Sequence, residues 1–264
     1  MKTLFAPYRP LLLSLFLITT LTGCPGTSPQ FFDSAGQTLA YRIEGEGPPL
    51  ILLHGFQGTG PIHWQVPGTS RLLAKNFQVI TLDNRGHGHS DKPTRPEDYG
   101  LHMVEDIRRL MEHLNIETAH FAGYSMGGWI SLKFAATYPE QVLSLAIGGS
   151  GYNQFDAKQV GQIANDIIVP YLHPGYDPAA FAACSDAFSE FQLTDEEIQI
   201  LPTPLLAIAG SEDFAREQAE RLIAARPDGD LFIIPGTNHN STLFTPAFQL
   251  RLEAFFDDAA GFET

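Results

Sequence analysis

The chain has 264 residues, 44% of them hydrophobic and 17% charged, so one core can take roughly 70–75% of the surface out of water and a single globular unit is expected. Its 16 Lys and Arg stand against 30 Asp and Glu, a net charge of −14, and no run of basic residues interrupts that balance. An acidic surface repels a phosphate backbone, which argues against nucleic acid as a partner, and two cysteines are too few for a disulfide framework.

Taken in order, the chain opens with Lys2 and Arg9, an apolar stretch from Leu11 to Leu21 and then small residues, the pattern of an export signal too short to span a bilayer comfortably. Leu21-Thr22-Gly23-Cys24 resembles a bacterial lipobox, which implies cleavage before Cys24 and acylation of its sulfur. The expectation is a signal peptide over 1–23, a tether over 24–30, and a protein held by a lipid anchor at Cys24 in the bacterial cell envelope, on the outer membrane facing the periplasm or at the cell surface. Cys184 is then left as a free, buried thiol.

Residues 31–33 and 38–44 alternate like an edge hairpin around Ser34-Ala35-Gly36-Gln37. Pro49–Leu53 is a continuous apolar run, and Phe77–Leu82 is a second, largely apolar one that includes Gln78 and Thr81, as strands buried on both faces should be. The first ends in His54-Gly55-Phe56, the second in Asp83-Asn84-Arg85-Gly86-His87-Gly88-His89-Ser90. Met103, Val104, Ile107, Leu110, Met111 and Leu114 have helical spacing, with Glu105, Asp106, Arg108 and Arg109 assigned to the outer face. A strand at 118–122, a helix from Trp129 to Tyr138 and a strand at 142–147 follow. Strands alternating with helices imply a mostly parallel sheet.

Residues 149–202 break this rhythm with aromatics and helical stretches but no regular strand, and read as an inserted helical cap. The core is accordingly expected at 31–148 and 203–264. The rhythm resumes with a strand at 205–209, a helix from Phe214 to Ala225, a strand at 231–234 and a last helix with Phe244, Phe248, Leu252 and Phe255 on one stripe.

Between the strand at 118–122 and its helix lies Gly123-Tyr124-Ser125-Met126-Gly127. Strand, G-x-S-x-G and helix form a nucleophile elbow, a strained turn that lifts one serine hydroxyl above the sheet edge. A serine needs a base, usually a histidine oriented by a carboxylate. The strand at 205–209 runs into Gly210-Ser211-Glu212-Asp213 and that at 231–234 into Pro235-Gly236-Thr237-Asn238-His239, with His239 the only histidine beyond position 173. Both loops lie at carboxyl ends of parallel strands, where open α/β sheets place their sites. The anionic oxygen of a tetrahedral intermediate needs two N–H donors, for which the backbone groups of Phe56 and Met126 are the candidates.

His54-Gly55-Phe56, the Asp83 to Ser90 loop, Gly123-x-Ser125-x-Gly127, Gly210-x-x-Asp213 and His239 together resemble the α/β-hydrolase-fold superfamily, in its esterase, haloperoxidase-like and C–C hydrolase branch, over about residues 30–260. The resemblance implies an α/β fold with a mostly parallel sheet, flanking helices and a small helical cap, and a Ser125-Asp213-His239 triad that needs no cofactor. Its spacing selects Asp213 over the adjacent Glu212. Serine rather than aspartate at 125 implies cleavage of a small-molecule carboxylic ester through an acyl-enzyme, or alternatively a C–C or thioester bond on the same triad. A non-catalytic binding protein on the same scaffold is a further reading, which the intact triad argues against. His87-Gly88-His89-Ser90-Asp91 resembles a zinc motif, but Lys92 stands where its last histidine belongs, so no metal is expected. His54 reads as an orienter of the loop that carries Phe56.

Overall fold

The computed structural model describes residues 28–152, 176–202 and 204–262. Cys24 and the export segment lie outside the described residues, as do positions 153–175 of the expected cap.

The first hairpin pairs β1 (Gln30–Ser34) with β2 (Gln37–Glu44), antiparallel, with Ser34 opposite Gln37. Ala35 and Gly36 close it with φ of 53° and 83°, the left-handed pair that a two-residue turn requires. Next come β3 (Pro49–Leu53), a short helix α1 (Thr69–Leu73), β4 (Gln78–Leu82) and α2 (Leu101–Leu114). The elbow follows as β5 (Ala119–Tyr124) and α3 (Met126–Thr137), then β6 (Val142–Gly148). Beyond β6 the described residues carry α4 (Pro178–Asp186), a 3₁₀ turn at Phe188–Phe191 and α5 (Asp195–Gln199). The chain closes with β7 (Leu205–Gly210), α6 (Arg216–Ala225), β8 (Asp230–Ile234), α7 (His239–Thr242) and α8 (Pro246–Ala260).

The eight strands form one sheet in the order β1-β2-β4-β3-β5-β6-β7-β8, parallel from β4 onward and antiparallel only at β1 and β2. This is the α/β-hydrolase fold. Successive side chains of a strand point to opposite faces, and β3 serves both. Ile51 and Leu53 join the layer under α2 and α3, while Leu50 and Leu52 join Trp64, Phe248 and Phe256 on the other side. These four side chains, Leu50 to Leu53, are fully buried, which is why the run reads as continuously apolar. With helices covering both faces, the free positions are the strand ends, and the carboxyl ends of β3, β5, β7 and β8 carry the loops of interest.

Two expectations are corrected. Asp106, assigned to the outer face of α2, is 1% exposed. Both its carboxylate oxygens accept from Arg85, at 2.7 and 3.0 Å, and Ser34 donates to it. Position 106 lies three residues after Met103 and four before Leu110, so helical geometry places it on the apolar stripe, and only the bidentate guanidinium makes that burial tolerable. Phe244 does not lie on the stripe of the last helix. Thr245 caps that helix and Pro246 begins it, a start signal that leaves Phe244 outside and 48% exposed.

Candidate active site

Ser125 stands between β5 and α3 with φ 53° and ψ −118°, a conformation that costs a non-glycine residue of order 1–3 kcal/mol and persists only where its surroundings enforce it. The enforcement is visible. A Cβ at Gly127 would come within 2.2 Å of the Leu53 carbonyl oxygen, and one at Gly123 within 2.2 Å of the Gly127 oxygen, so β5, α3 and β3 meet closely enough to tolerate only glycine at both positions. The Ser125 N–H donates to Gly148 O at 2.8 Å, fastening the turn to β6.

His239 is the first residue of α7, whose capping residue Asn238 accepts from the N–H groups of Asn240 and Ser241. Its Nε2 lies 3.0 Å from Ser125 Oγ and its Nδ1 2.9 Å from Asp213 Oδ1. The structure thus brings together three residues separated by up to 114 positions in the chain. The carboxylate on the imidazole is that of Asp213, whereas Glu212 is exposed. Asp213 Oδ1 also accepts the Ala215 N–H at 2.8 Å, which pins the carboxylate ahead of α6. The helix begins only at Arg216, two residues later than its apolar pattern suggests.

Met126 opens α3, so its N–H has no helical acceptor and sits at the positive end of the helix. The loop after β3 lies against the nucleophile: a Cβ on Gly55 would be 3.1 Å from Ser125 Cβ. Neither the Met126 nor the Phe56 N–H has a backbone or side-chain acceptor among the described residues. His54 donates from Nδ1 to Gly55 O at 2.8 Å and accepts the Asn84 N–H on Nε2 at 2.9 Å, which makes it a brace for this loop. His87 is occupied on both nitrogens, donating to Arg85 O and accepting from Gln57 N–H. His89 instead faces Arg42 and Asp83. Cys184 is buried with its sulfur 3.9 Å from Met126 Sδ, and burial pushes its thiol pKa up, so it stays a neutral thiol.

Several residues of the site carry no mark in the sequence. Tyr124 donates its hydroxyl to the His239 carbonyl and its ring lies 5.5 Å from the imidazole. Phe214, 48% exposed, lies 4.2 Å from the same imidazole at an interplanar angle of 32°. His63, from the turn before α1, accepts the Gly55 N–H on Nδ1 at 3.0 Å. Loss of water around its ring, with His239 and His87 nearby, lowers its pKa to about 3. A cavity of about 90 Å³ lies between Phe56 and Gln57 on one side and Tyr176, Pro178, Phe181 and Ser185 on the other. The Phe56 ring meets Phe181 at 5.5 Å and Phe188 at 5.1 Å, so the segment between β6 and β7 packs directly on the loop that carries Phe56, and Phe181 also lies 4.8 Å from the His87 ring.

The family profile described as alpha/beta hydrolase fold matches residues 48–172. An uncharacterized protein of Mycobacterium tuberculosis is 35% identical over 137 residues, 52% of this chain and 39% of that protein. A 2-hydroxy-6-oxo-6-phenylhexa-2,4-dienoate hydrolase of Comamonas testosteroni is 30% identical over 172 residues, 63% of this chain and 59% of the relative. The chain thus spans about two fifths of the length of the first curated relatives it matches. Among solved structures, a thermophilic esterase from Thermogutta terrifontis superposes with a TM-score of 0.74 at 20% identity, covering 88% of this chain and 99% of that one.

Proposed function

From the premise that this chain has the α/β-hydrolase fold and is similar to hydrolases built on it, we propose that it is a serine hydrolase that cleaves small carboxylic esters through an acyl-enzyme. The observation that carries the reading is the His239 ring, with Ser125 Oγ at 3.0 Å on one nitrogen and Asp213 Oδ1 at 2.9 Å on the other. In this mechanism Ser125 Oγ attacks the acyl carbon and His239 Nε2 takes its proton, while Asp213 holds the other N–H in the required tautomer. The N–H groups of Phe56 and Met126 receive the negative charge on the former carbonyl oxygen. Collapse of the tetrahedral intermediate breaks the bond to the alcohol, which leaves with the proton from His239. Water, deprotonated by the same nitrogen, then releases the acid and the free serine.

The test is fluorophosphonate labelling together with turnover of activated esters. Ser125→Ala should remove both, turnover falling by roughly 10⁴-fold or more with the fold intact, and Ser125→Ala/His239→Ala should be little worse than either single variant because the residues act as a unit. Near-normal turnover by folded Ser125→Ala would refute the reading. A second reading, C–C bond hydrolysis on the same residues, is favoured by the similarity to the dienoate hydrolase; parallel assays with 4-nitrophenyl esters and a dienoate of that kind separate the two.

We further propose that the protein is anchored in the bacterial cell envelope through an acylated Cys24, on the strength of Leu21-Thr22-Gly23-Cys24 after the apolar stretch. Several acyl chains hold a protein stably where a single one does not. Detergent phase partition checks this: Cys24→Ala should move to the aqueous phase, and equal partition of parent and variant would rule the anchor out.

A further inference from the structure

The loop after β3 reads His54-Gly55-Phe56-Gln57-Gly58, and its N–H groups can be followed one by one. Gly55 N–H donates to His63 Nδ1 at 3.0 Å, Gln57 N–H to His87 Nε2 at 3.2 Å, and Gly58 N–H back to the Gly55 carbonyl at 3.0 Å. The Phe56 N–H lies between two N–H groups taken by imidazoles and has no protein acceptor of its own among the described residues. A backbone N–H normally finds a partner, so one that remains open inside a chain otherwise satisfied on both sides is an addressable donor. The loop also lies against the nucleophile, since Ser125 Cβ and His63 Cε1 stand 3.1 and 3.0 Å from where a Gly55 Cβ would be.

We propose that His63 and His87 are positioning residues for this donor: by holding the N–H before and the N–H after Phe56, they fix the two flanking peptide planes and aim the Phe56 N–H at the acyl oxygen above Ser125. The proposal rests on Ser125 being the nucleophile. Each imidazole must present a lone pair, and a neutral imidazole has only one acceptor nitrogen. In His87 the Nδ1–H is already given to Arg85 O at 3.0 Å, which leaves Nε2 as the acceptor that Gln57 requires. In His63 the acceptor is Nδ1, and its pKa near 3, lowered by burial and by His239 and His87, keeps that lone pair free of a proton at any working pH. The His54 and Tyr124 rings meet His63 edge-on at 6.1 and 6.0 Å, so its plane is set from two sides. His87 is set likewise by His54 at 5.1 Å and Phe181 at 4.8 Å. A pre-aimed donor needs no reorganisation when charge develops, and that is the source of its catalytic value.

The test uses the full chain and two pairs of variants. His63→Leu and His87→Leu keep bulk and remove the acceptor. His63→Asn and His87→Gln place an amide oxygen near the lost Nδ1 and Nε2 respectively. The leucine variants should lose about 10- to 100-fold in kcat with KM within about threefold, and their affinity for a trifluoromethyl ketone, whose hemiketal oxygen occupies the same position, should fall by the same factor. The amide variants should recover to within about fivefold of the parent in both measures. Parental kcat in both leucine variants, amide variants as impaired as the leucine ones, or a fall in kcat with unchanged ketone affinity would each overturn the proposal. Should a leucine variant not fold, the amide variant at that site decides: retained ketone affinity supports the bracket and lost affinity refutes it. Ser125→Ala run alongside keeps the two claims apart. If it retains turnover, the nucleophile assignment fails; if it is silent while folded leucine variants match the parent, only the histidine bracket fails.

Discussion

The hydroxyl of Tyr124 donates to the main-chain carbonyl of His239, so the residue just before the nucleophile holds in place the residue that activates it. Distance along the chain between elbow and base is thereby converted into one hydrogen bond and one ring contact.

Tyr124→Phe keeps the ring contact and removes the hydrogen bond. It should cost about 1 kcal/mol of stability and, because a small misplacement of a base is expensive, about tenfold in kcat with KM unchanged. Parental kcat, measured beside the urea midpoint, would mean that Asp213 and Phe214 position the imidazole without help.

Asp213→Asn and Glu212→Gln separate the two adjacent acids. Asparagine can still accept the Ala215 N–H that Asp213 now accepts, so the start of α6 should survive. The histidine tautomer should not, and turnover should drop by roughly 10⁴, as for the equivalent change in a serine protease. Glu212→Gln, at an exposed position, should stay within a few-fold of the parent; the reverse pattern would move the acid to Glu212 and leave Ser125 and His239 untouched.

Gly149 has φ +56°, and a Cβ there would stand 2.9 Å from Tyr124 Cζ and 3.0 Å from His239 Cε1. Gly149→Ala should therefore push the base off line and reduce kcat by about 100-fold. Gly36→Ala is the control for the backbone effect alone, since Gly36 has φ +83° with open space around it and should cost about 1–2 kcal/mol of stability without touching turnover. Equal kcat losses in the two variants would remove the steric argument.

His120 is buried beside Ser144, its Nδ1 2.7 Å from Ser144 Oγ, and burial lowers its pKa to about 4. The unfolded chain, with an ordinary histidine pKa near 6.5, binds a proton that the folded chain refuses. Stability from this group is therefore complete above about pH 6.5 and is lost as pH falls toward 4, with a slope of at most about 1.4 kcal/mol per pH unit. His120→Asn should flatten the urea midpoint between pH 6.5 and 4.5 relative to the parent, and an unchanged slope would assign the loss to other groups.

Strand limits, the elbow and the order of serine, acid and base are written locally. A strand buried on both faces must be apolar at every position, as β3 is, and a turn as strained as that at Ser125 must be flanked by glycines, so the linear pattern alone reveals both. What the tertiary structure decided are relations between loops that share no local rule. His87 serves the Gln57 backbone because β4 lies parallel beside β3 in the sheet, so the loops after both strands meet at one edge, whereas His63 reaches Gly55 from eight residues further along the same connection. Asp106 illustrates the same divide. Read from the sequence it is assigned to the outer face, although its spacing to Met103 and Leu110 is that of the inner stripe; a carboxylate can be buried there only beside a guanidinium, and Arg85 arrives from the β4 loop, 21 residues away. Local geometry chooses which way a side chain points; whether a partner waits there is settled only when the sheet has brought distant loops to one edge.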